Sequence, residues 1–141
     1  MCSIMALSKK HIPMEKFQTN FAKTNSRGPD MMRIEAIGDC VLGFQRLAIM
    51  GLDKSGMQPF LLHGNAVVCN GELYGFREEK KILKEQGYVF KSDSDCEIIL
   101  PMYEQYGVEM FEKLDAEFAM ILYDAKKQTL LAARDPIGIR P

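Results

Sequence analysis

Apolar residues along the chain fall into short blocks separated by turn-forming residues, and the period within each block distinguishes strand from helix. Residues 2–7 (Cys-Ser-Ile-Met-Ala-Leu) predict a short buried strand. From Pro13 to about Lys23, Met14, Phe17 and Phe21 recur at helical spacing, which predicts a helix packed on one face. Gly28-Pro29 breaks that helix, and Arg27 and Asp30 are placed to pair across the turn. Residues 32–38 and 41–49 predict a hairpin around Gly38-Asp39. A loop from Gly51 to Pro59 precedes a strand over 65–70, which runs straight into Asn70-Gly71-Glu72. An Asn-Gly pair after a strand ordinarily makes a hairpin turn. Here no second strand follows, because residues 76–86 read as a helix with Phe76, Ile82 and Leu83 on one side, charges on the other, and Gly87 as terminator. A second helix is predicted over roughly 95–106, with Ile98, Ile99, Met102 and Tyr106 inward. Pro101 should kink it or cost a hydrogen bond. A short helix over about 108–114 precedes a hairpin of 117–123 and 129–134, whose strands are apolar at nearly every position. Such strands belong to a sheet covered on both faces. Hairpins in place of crossovers predict an α+β fold, with stacked antiparallel sheets and helices outside.

Composition narrows the setting without naming a chemistry. The 141 residues make one domain, able to bury about two-thirds of its unfolded surface. A net charge of −1, with both signs interspersed, points away from nucleic acid and from a membrane surface. No apolar run approaches a membrane span. Lys9 and Lys10 follow the first apolar segment and do not precede it, unlike a signal peptide, so the expected compartment is the cytoplasm. The four cysteines, Cys2, Cys40, Cys69 and Cys96, lie far apart in sequence with only His11 and His63 for company. Neither a zinc site nor a disulfide framework is expected, and Cys40, Cys69 and Cys96 read as small core residues.

Cys2 is different because of its position. A methionine followed by a small residue is a substrate for initiator removal, which would leave Cys2 with a free α-amine. An amine near pKa ~8 and a thiol near ~8.5 lie close to each other and to neutral pH. The amine can then take the thiol proton, directly or through one water, and the thiolate attacks. Mounting that residue on a strand would hold it stiffly. A thiol protease built from Cys2 and His63 is disfavoured, since His63 lies in a polar turn with no third residue placed to orient it.

Six segments then occur in order: Met1-Cys2-Ser3-Ile4, Arg27-Gly28-Pro29-Asp30, Arg46-Leu47-Ala48-Ile49, Asn70-Gly71-Glu72-Leu73-Tyr74, Ser94-Asp95-Cys96-Glu97 and Ala133-Arg134-Asp135-Pro136-Ile137-Gly138-Ile139-Arg140-Pro141. Together they resemble the N-terminal glutaminase domain of glutamine-dependent asparagine synthetases, a class II glutamine amidotransferase of the N-terminal-nucleophile (Ntn) hydrolase superfamily. The resemblance covers residues 1–141 and implies a four-layer α/β/β/α sandwich. It implies hydrolysis of L-glutamine to glutamate and ammonia, with Cys2 as the nucleophile that forms a thioester. Asn70 (side-chain amide) and Gly71 (backbone N–H) resemble an oxyanion hole, Arg46 the holder of the substrate α-carboxylate, and Asp95 the receiver of its α-ammonium. Backbone groups of Leu47, Ala48, Ile49, Met50 and Glu72 resemble the remaining pocket wall, and Arg27 and Asp30 a brace around Cys2. Taken singly, Arg46 is equally a surface arginine, Asp95 an N-cap and Asn70 a turn former.

The resemblance implies no cofactor for this domain. ATP and Mg²⁺ would belong to a C-terminal synthetase domain that the chain lacks, so the chain reads as an excised domain or a naturally short relative. Its implied partners are L-glutamine and an ammonia-accepting synthetase domain or subunit, and an exposed sheet edge would favour a homodimer. Gly75, Ala116 and Met5-Ala6-Leu7 depart from the family's usual residues without removing a catalytic group. Two other readings stand beside this one. The 134–141 segment is also at home in phosphoribosylpyrophosphate amidotransferases, and a non-catalytic glutamine-binding module would keep the pocket without turnover.

Overall fold

A computed structural model describes residues 1–8, 12–49 and 54–141. Two antiparallel sheets form its centre. The first orders β1 (Ser3–Ser8), β3 (Cys40–Arg46) and β2 (Met31–Ile37) with β3 in the middle. The second orders β4 (Phe60–Leu62), β5 (Asn65–Leu73), β6 (Ala116–Asp124) and β7 (Thr129–Arg134). Helix α1 (Met14–Ala22) covers the first sheet, and α2 (Phe76–Glu85) and α3 (Ile99–Tyr106) cover the second.

Strand periodicity explains the layering. On β3, Cys40, Leu42 and Phe44 point between the sheets, where they meet Ala66, Val68 and Tyr123. Val41 points the other way, onto Phe17 and Phe21 of α1. On the far side, Val67, Cys69, Leu73, Phe118, Met120 and Leu122 pack against Leu83, Ile99 and Met102. Burying each such side chain stabilises the fold by about 1.5–3 kcal/mol. The result is an α/β/β/α sandwich of four layers. Among the described residues no helix is long and apolar enough to cross a membrane.

Several local expectations need correction. Met14 and Ile82 are exposed, whereas Lys80 is buried, its amine donating to the Ser92 carbonyl oxygen. The 95–106 segment is a 3-10 turn (Asp95–Ile98) followed by α3, so Pro101 falls in the first turn of α3 and breaks no helical bond. Residues Gly107–Glu112 are also 3-10. Strand β3 ends at Arg46, short of Ile49, and β7 is a half-exposed edge covered less than β6. The three-residue β4, hidden behind Pro59, carries no sequence signal of its own.

Asn70 and Gly71 lie inside β5 and do not form a turn: Asn70 pairs with Ala119 and Gly71 with Phe118. A Cβ at Gly71 would sit 2.7 Å from both the Glu117 carbonyl oxygen and Phe118 Cβ, so glycine is required there by the neighbouring strand.

Candidate active site

Where the two sheets meet at one end, a cavity of about 140 Å³ opens. Cys2, Arg46, Leu47 and Ile49 reach it from the first sheet, Asn70, Gly71 and Glu72 from the second, and Asp95 from the 3-10 turn before α3. Of the residues singled out for the pocket, Ala48 is not on its lining, and Met50 lies outside the described residues.

Ladder register and a buried polar network place Cys2. Ser3 pairs with Gln45 across β1 and β3, which sets Cys2 beside the Arg46 end of β3. Ser3 Oγ donates to Thr24 Oγ1 at 2.9 Å, and Gln45 Nε2 donates to the Phe21 carbonyl oxygen at 2.9 Å. Arg27 Nε donates to the Cys2 carbonyl oxygen at 3.4 Å. Arg27 and Asp30 form no ion pair; Asp30 Oδ2 instead accepts the Ala48 N–H at 2.8 Å, pinning the segment after β3. The predicted cross-turn pair fails because the two side chains diverge, one toward β1 and the other toward the loop beyond Arg46. Gly28 makes this possible: a Cβ there would lie 2.3 Å from the Gln45 carbonyl carbon, so only glycine lets the turn seat against β3.

The Cys2 thiol donates to the Leu47 carbonyl oxygen at 3.8 Å. Burial pushes this thiol above its ordinary 9.0, opposed by a backbone contact with Leu47, the N-terminal ammonium and the Arg46 guanidinium. Met1 also lines the cavity. Cys69 and Cys96 line it too, although both are almost fully buried. Hydrogen bonding to Cys69, together with burial, holds the Cys96 thiol well above its ordinary 9.0.

The polar lining is deeply set. Arg46 is 4% exposed, Asn70 3% and Asp95 9%. Asp95 Oδ2 accepts the Leu73 N–H at 2.7 Å, tying the 3-10 turn to the end of β5. Ser94, not Asp95, occupies the N-cap position, and it makes no side-chain capping bond. Asn70 Nδ2 is buried without a hydrogen-bond partner among the described residues. An unpaired buried donor of this kind costs about 1–3 kcal/mol. Such orphans are rare and concentrate where a ligand supplies the missing acceptor.

The comparisons with known proteins bear directly on this arrangement. The model of the glutamine amidotransferase domain family matches residues 1–141. The chain belongs to that family. It is 38% identical over 148 aligned positions to a probable glutamine-hydrolyzing asparagine synthetase of Dictyostelium discoideum, covering all of this chain and 26% of the relative. It is 44% identical over 117 positions to glutamine-hydrolyzing asparagine synthetase 2 of Oryza sativa subsp. japonica, covering 82% of this chain and 19% of that one. The chain thus spans about a quarter or less of the length of these curated relatives. Among solved structures, the glutamine phosphoribosylpyrophosphate amidotransferase from B. subtilis complexed with ADP and GMP superposes with a TM-score of 0.61 at 23% identity, covering 74% of this chain and 25% of that one. This likeness is one of fold, the layered sandwich described above.

Two lining residues of the domain escaped the sequence reading. Gln58 Nε2 donates to the Cys69 carbonyl oxygen at 3.0 Å, and its Oε1 accepts the Cys69 N–H at 2.6 Å. This side chain therefore clamps the residue preceding Asn70. Arg140 forms an ion pair with Glu117 and lies 3.9 Å from Glu72, closing the cavity on that side. Asp135 seats this tail: its Oδ1 accepts the N–H groups of Ile137 at 3.0 Å and Gly138 at 2.7 Å, and its Oδ2 accepts that of Phe118 at 3.1 Å. The only signal for Arg140 was its place in the 133–141 segment. Gln58 had none.

Proposed function

We propose that this domain hydrolyses the side-chain amide of L-glutamine, giving L-glutamate and ammonia, and that the ammonia serves an asparagine-forming synthetase domain or subunit. The observation that carries the reading is the orphaned Asn70 Nδ2 on the same small cavity as the Cys2 sulfur. An amide hydrolase needs a nucleophile beside an unsatisfied donor that waits for a developing oxyanion.

The steps follow from the lining. Removal of Met1 frees the Cys2 α-amine and clears space in the cavity. The Arg46 guanidinium takes the substrate α-carboxylate, a planar fork meeting a planar anion. The remaining capacity of the Asp95 carboxylate takes the α-ammonium. The Cys2 amine accepts the thiol proton, and the thiolate adds to the amide carbon. Asn70 Nδ2 and the Gly71 N–H receive the oxyanion. Collapse expels ammonia, which leaves with the proton held by the amine, and water then cleaves the thioester to release glutamate and restore the thiol. Gln58 keeps the β5 backbone in place beside these donors, and Arg27 holds Cys2. These steps draw on side chains and backbone alone; ATP and Mg²⁺ are assigned to the acceptor unit. The matches to asparagine synthetases, over all and over 82% of this chain, support that acceptor over a phosphoribosyl one, since the structural likeness to the latter is one of fold.

The test pairs intact mass with turnover. Purified protein lacking Met1 should form glutamate from glutamine, and Cys2→Ala should form none while still binding glutamine. Turnover by Cys2→Ala, or by protein that keeps Met1, would end this reading.

A further inference from the structure

A second, larger cavity of about 760 Å³ lies on the α2 side of the molecule and shares no lining residue with the cavity at Cys2. Its wall is made by α2 and by the 90–93 segment that leads into the turn before α3. Arg77, Lys81 and Lys84 fall at i, i+4 and i+7, one face of the helix, and Lys91 comes from the facing segment. Lys80 completes the set, with its amine 4.9 Å from the centre of the Phe90 ring. Asp93 is the single carboxylate on the lining.

Two of these cations have packing roles: Arg77 lies 4.8 Å from the centre of the Phe76 ring, and Lys80 is held in the wall. Lys80 is engaged by the Ser92 carbonyl and lies 3.7 Å from Glu97. Glu97 is itself committed to the N–H groups of Lys91 and Ser92 and to the Ser92 hydroxyl. Among the described residues, Arg77, Lys81, Lys84 and Lys91 have no carboxylate within ion-pair distance, although the chain as a whole is nearly neutral. Like charges three and four positions apart on a helix destabilise it. Gathered around one concavity, they raise a positive potential in it. Concavity favours a compact ligand over a flat acidic surface.

We propose that this cavity binds a small, multiply charged anion of the polyphosphate class, with Arg77, Lys81, Lys84 and Lys91 as its charge contacts and Lys80 as a fixed anchor in the wall. The probe is inorganic tripolyphosphate, titrated calorimetrically into the full chain at low and moderate salt. One saturable site is expected, weakening as salt rises. Orthophosphate should bind at least about tenfold more weakly, because it meets fewer of the cations at once. The charge reversal Lys81→Glu/Lys84→Glu should lower tripolyphosphate affinity by about tenfold or more while leaving the fold and glutamine turnover intact. Arg77→Ala/Lys91→Ala serves the same purpose if the reversal impairs folding. Absence of saturable binding at millimolar tripolyphosphate, equal affinity in a folded variant, or equal affinity for orthophosphate would each overturn the proposal. Tight binding of an acidic protein without binding of tripolyphosphate would do so as well.

Discussion

Arg27 Nε donates to the Cys2 backbone carbonyl oxygen at 3.4 Å, so an arginine from a turn 25 positions downstream holds Cys2 by its main chain. Thr24, which caps that turn, accepts from Ser3 Oγ at 2.9 Å, and the Gly28 approach to β3 fixes where the arginine starts. We predict that Arg27→Gln lowers kcat for glutamine hydrolysis by on the order of tenfold to a hundredfold, with KM nearly unchanged, because it misplaces the sulfur and touches no substrate group. Steady-state kinetics decide it; a rise in KM alone would move Arg27 into the substrate pocket.

Asn70→Ala removes the orphaned donor. Its kcat should fall by about 10²–10³, while thermal stability holds or improves slightly, since a buried unpaired amide is lost with it. A variant that turns over normally would take Asn70 out of the oxyanion site.

Three of the four cysteines line one cavity, yet Cys69 and Cys96 are almost fully buried and Cys2 is only partly so. The thiolate is the attacking form, and Cys96 is held protonated by Cys69 and by burial. A diazo ketone analogue of glutamine should therefore modify Cys2 alone. Peptide mapping that found the adduct on Cys69 or Cys96 would refute the site assignment.

Gly71→Ala tests the strand instead of the chemistry. The added methyl would press on the Glu117 carbonyl oxygen and Phe118 Cβ, both 2.7 Å away, and backbone cannot swing aside as a side chain does. A destabilisation of about 1–3 kcal/mol is expected from this overpacking. Denaturant unfolding measures it, and an unchanged midpoint would mean β6 yields freely.

Acid sensitivity follows from Asp135 and Asp124. Burial acts to raise the Asp135 carboxyl, but the N–H groups of Gly138, Phe118, Ile139 and Ile137 bring it below its ordinary 3.8. Asp124 is likewise lowered from 3.8, against burial, by the Lys127 N–H, the Tyr103 hydroxyl and the Lys127 ammonium. A folded value below the unfolded one contributes stability that is fully present above the unfolded value. That stability is lost as pH falls through the folded value. Melting temperature should thus drop as pH falls below about 4, and Asp135→Asn should start lower but lose less over the same span. Parallel acid limbs in calorimetry would remove Asp135 from this account.

Much of this was legible in the residues, and the gaps have physical causes. Phe17 and Phe21, one helical turn apart, announced α1, and the run from Phe118 to Tyr123 announced a buried strand, because local period alone decides such elements. The Cys2, Arg46, Asn70 and Asp95 segments could be matched as motifs, and the fold brings those four residues to one cavity. What stayed hidden depends on long-range pairing. Gly71 looks like a turn former until β6 is seen lying against it, and Arg27 and Asp30 look like mutual partners until each finds a better one. Lys80 was assigned to the solvent side of α2 because nothing local shows the Ser92 carbonyl waiting inside. Gln58 stands in for a missing strand neighbour of Cys69, a role only three-dimensional proximity creates.

Sulfur and amide donor never share a ladder here. Cys2 extends from one sheet and Asn70 sits in the other, with the apolar layer of Leu42, Phe44, Ala66 and Val68 between them. Slippage of one sheet over its neighbour by about an ångström would disarm the proposed chemistry while every strand stayed paired. The proposed mechanism is thus a ruler laid across the interior seam, and on it damage to that seam registers as silence before it registers as melting.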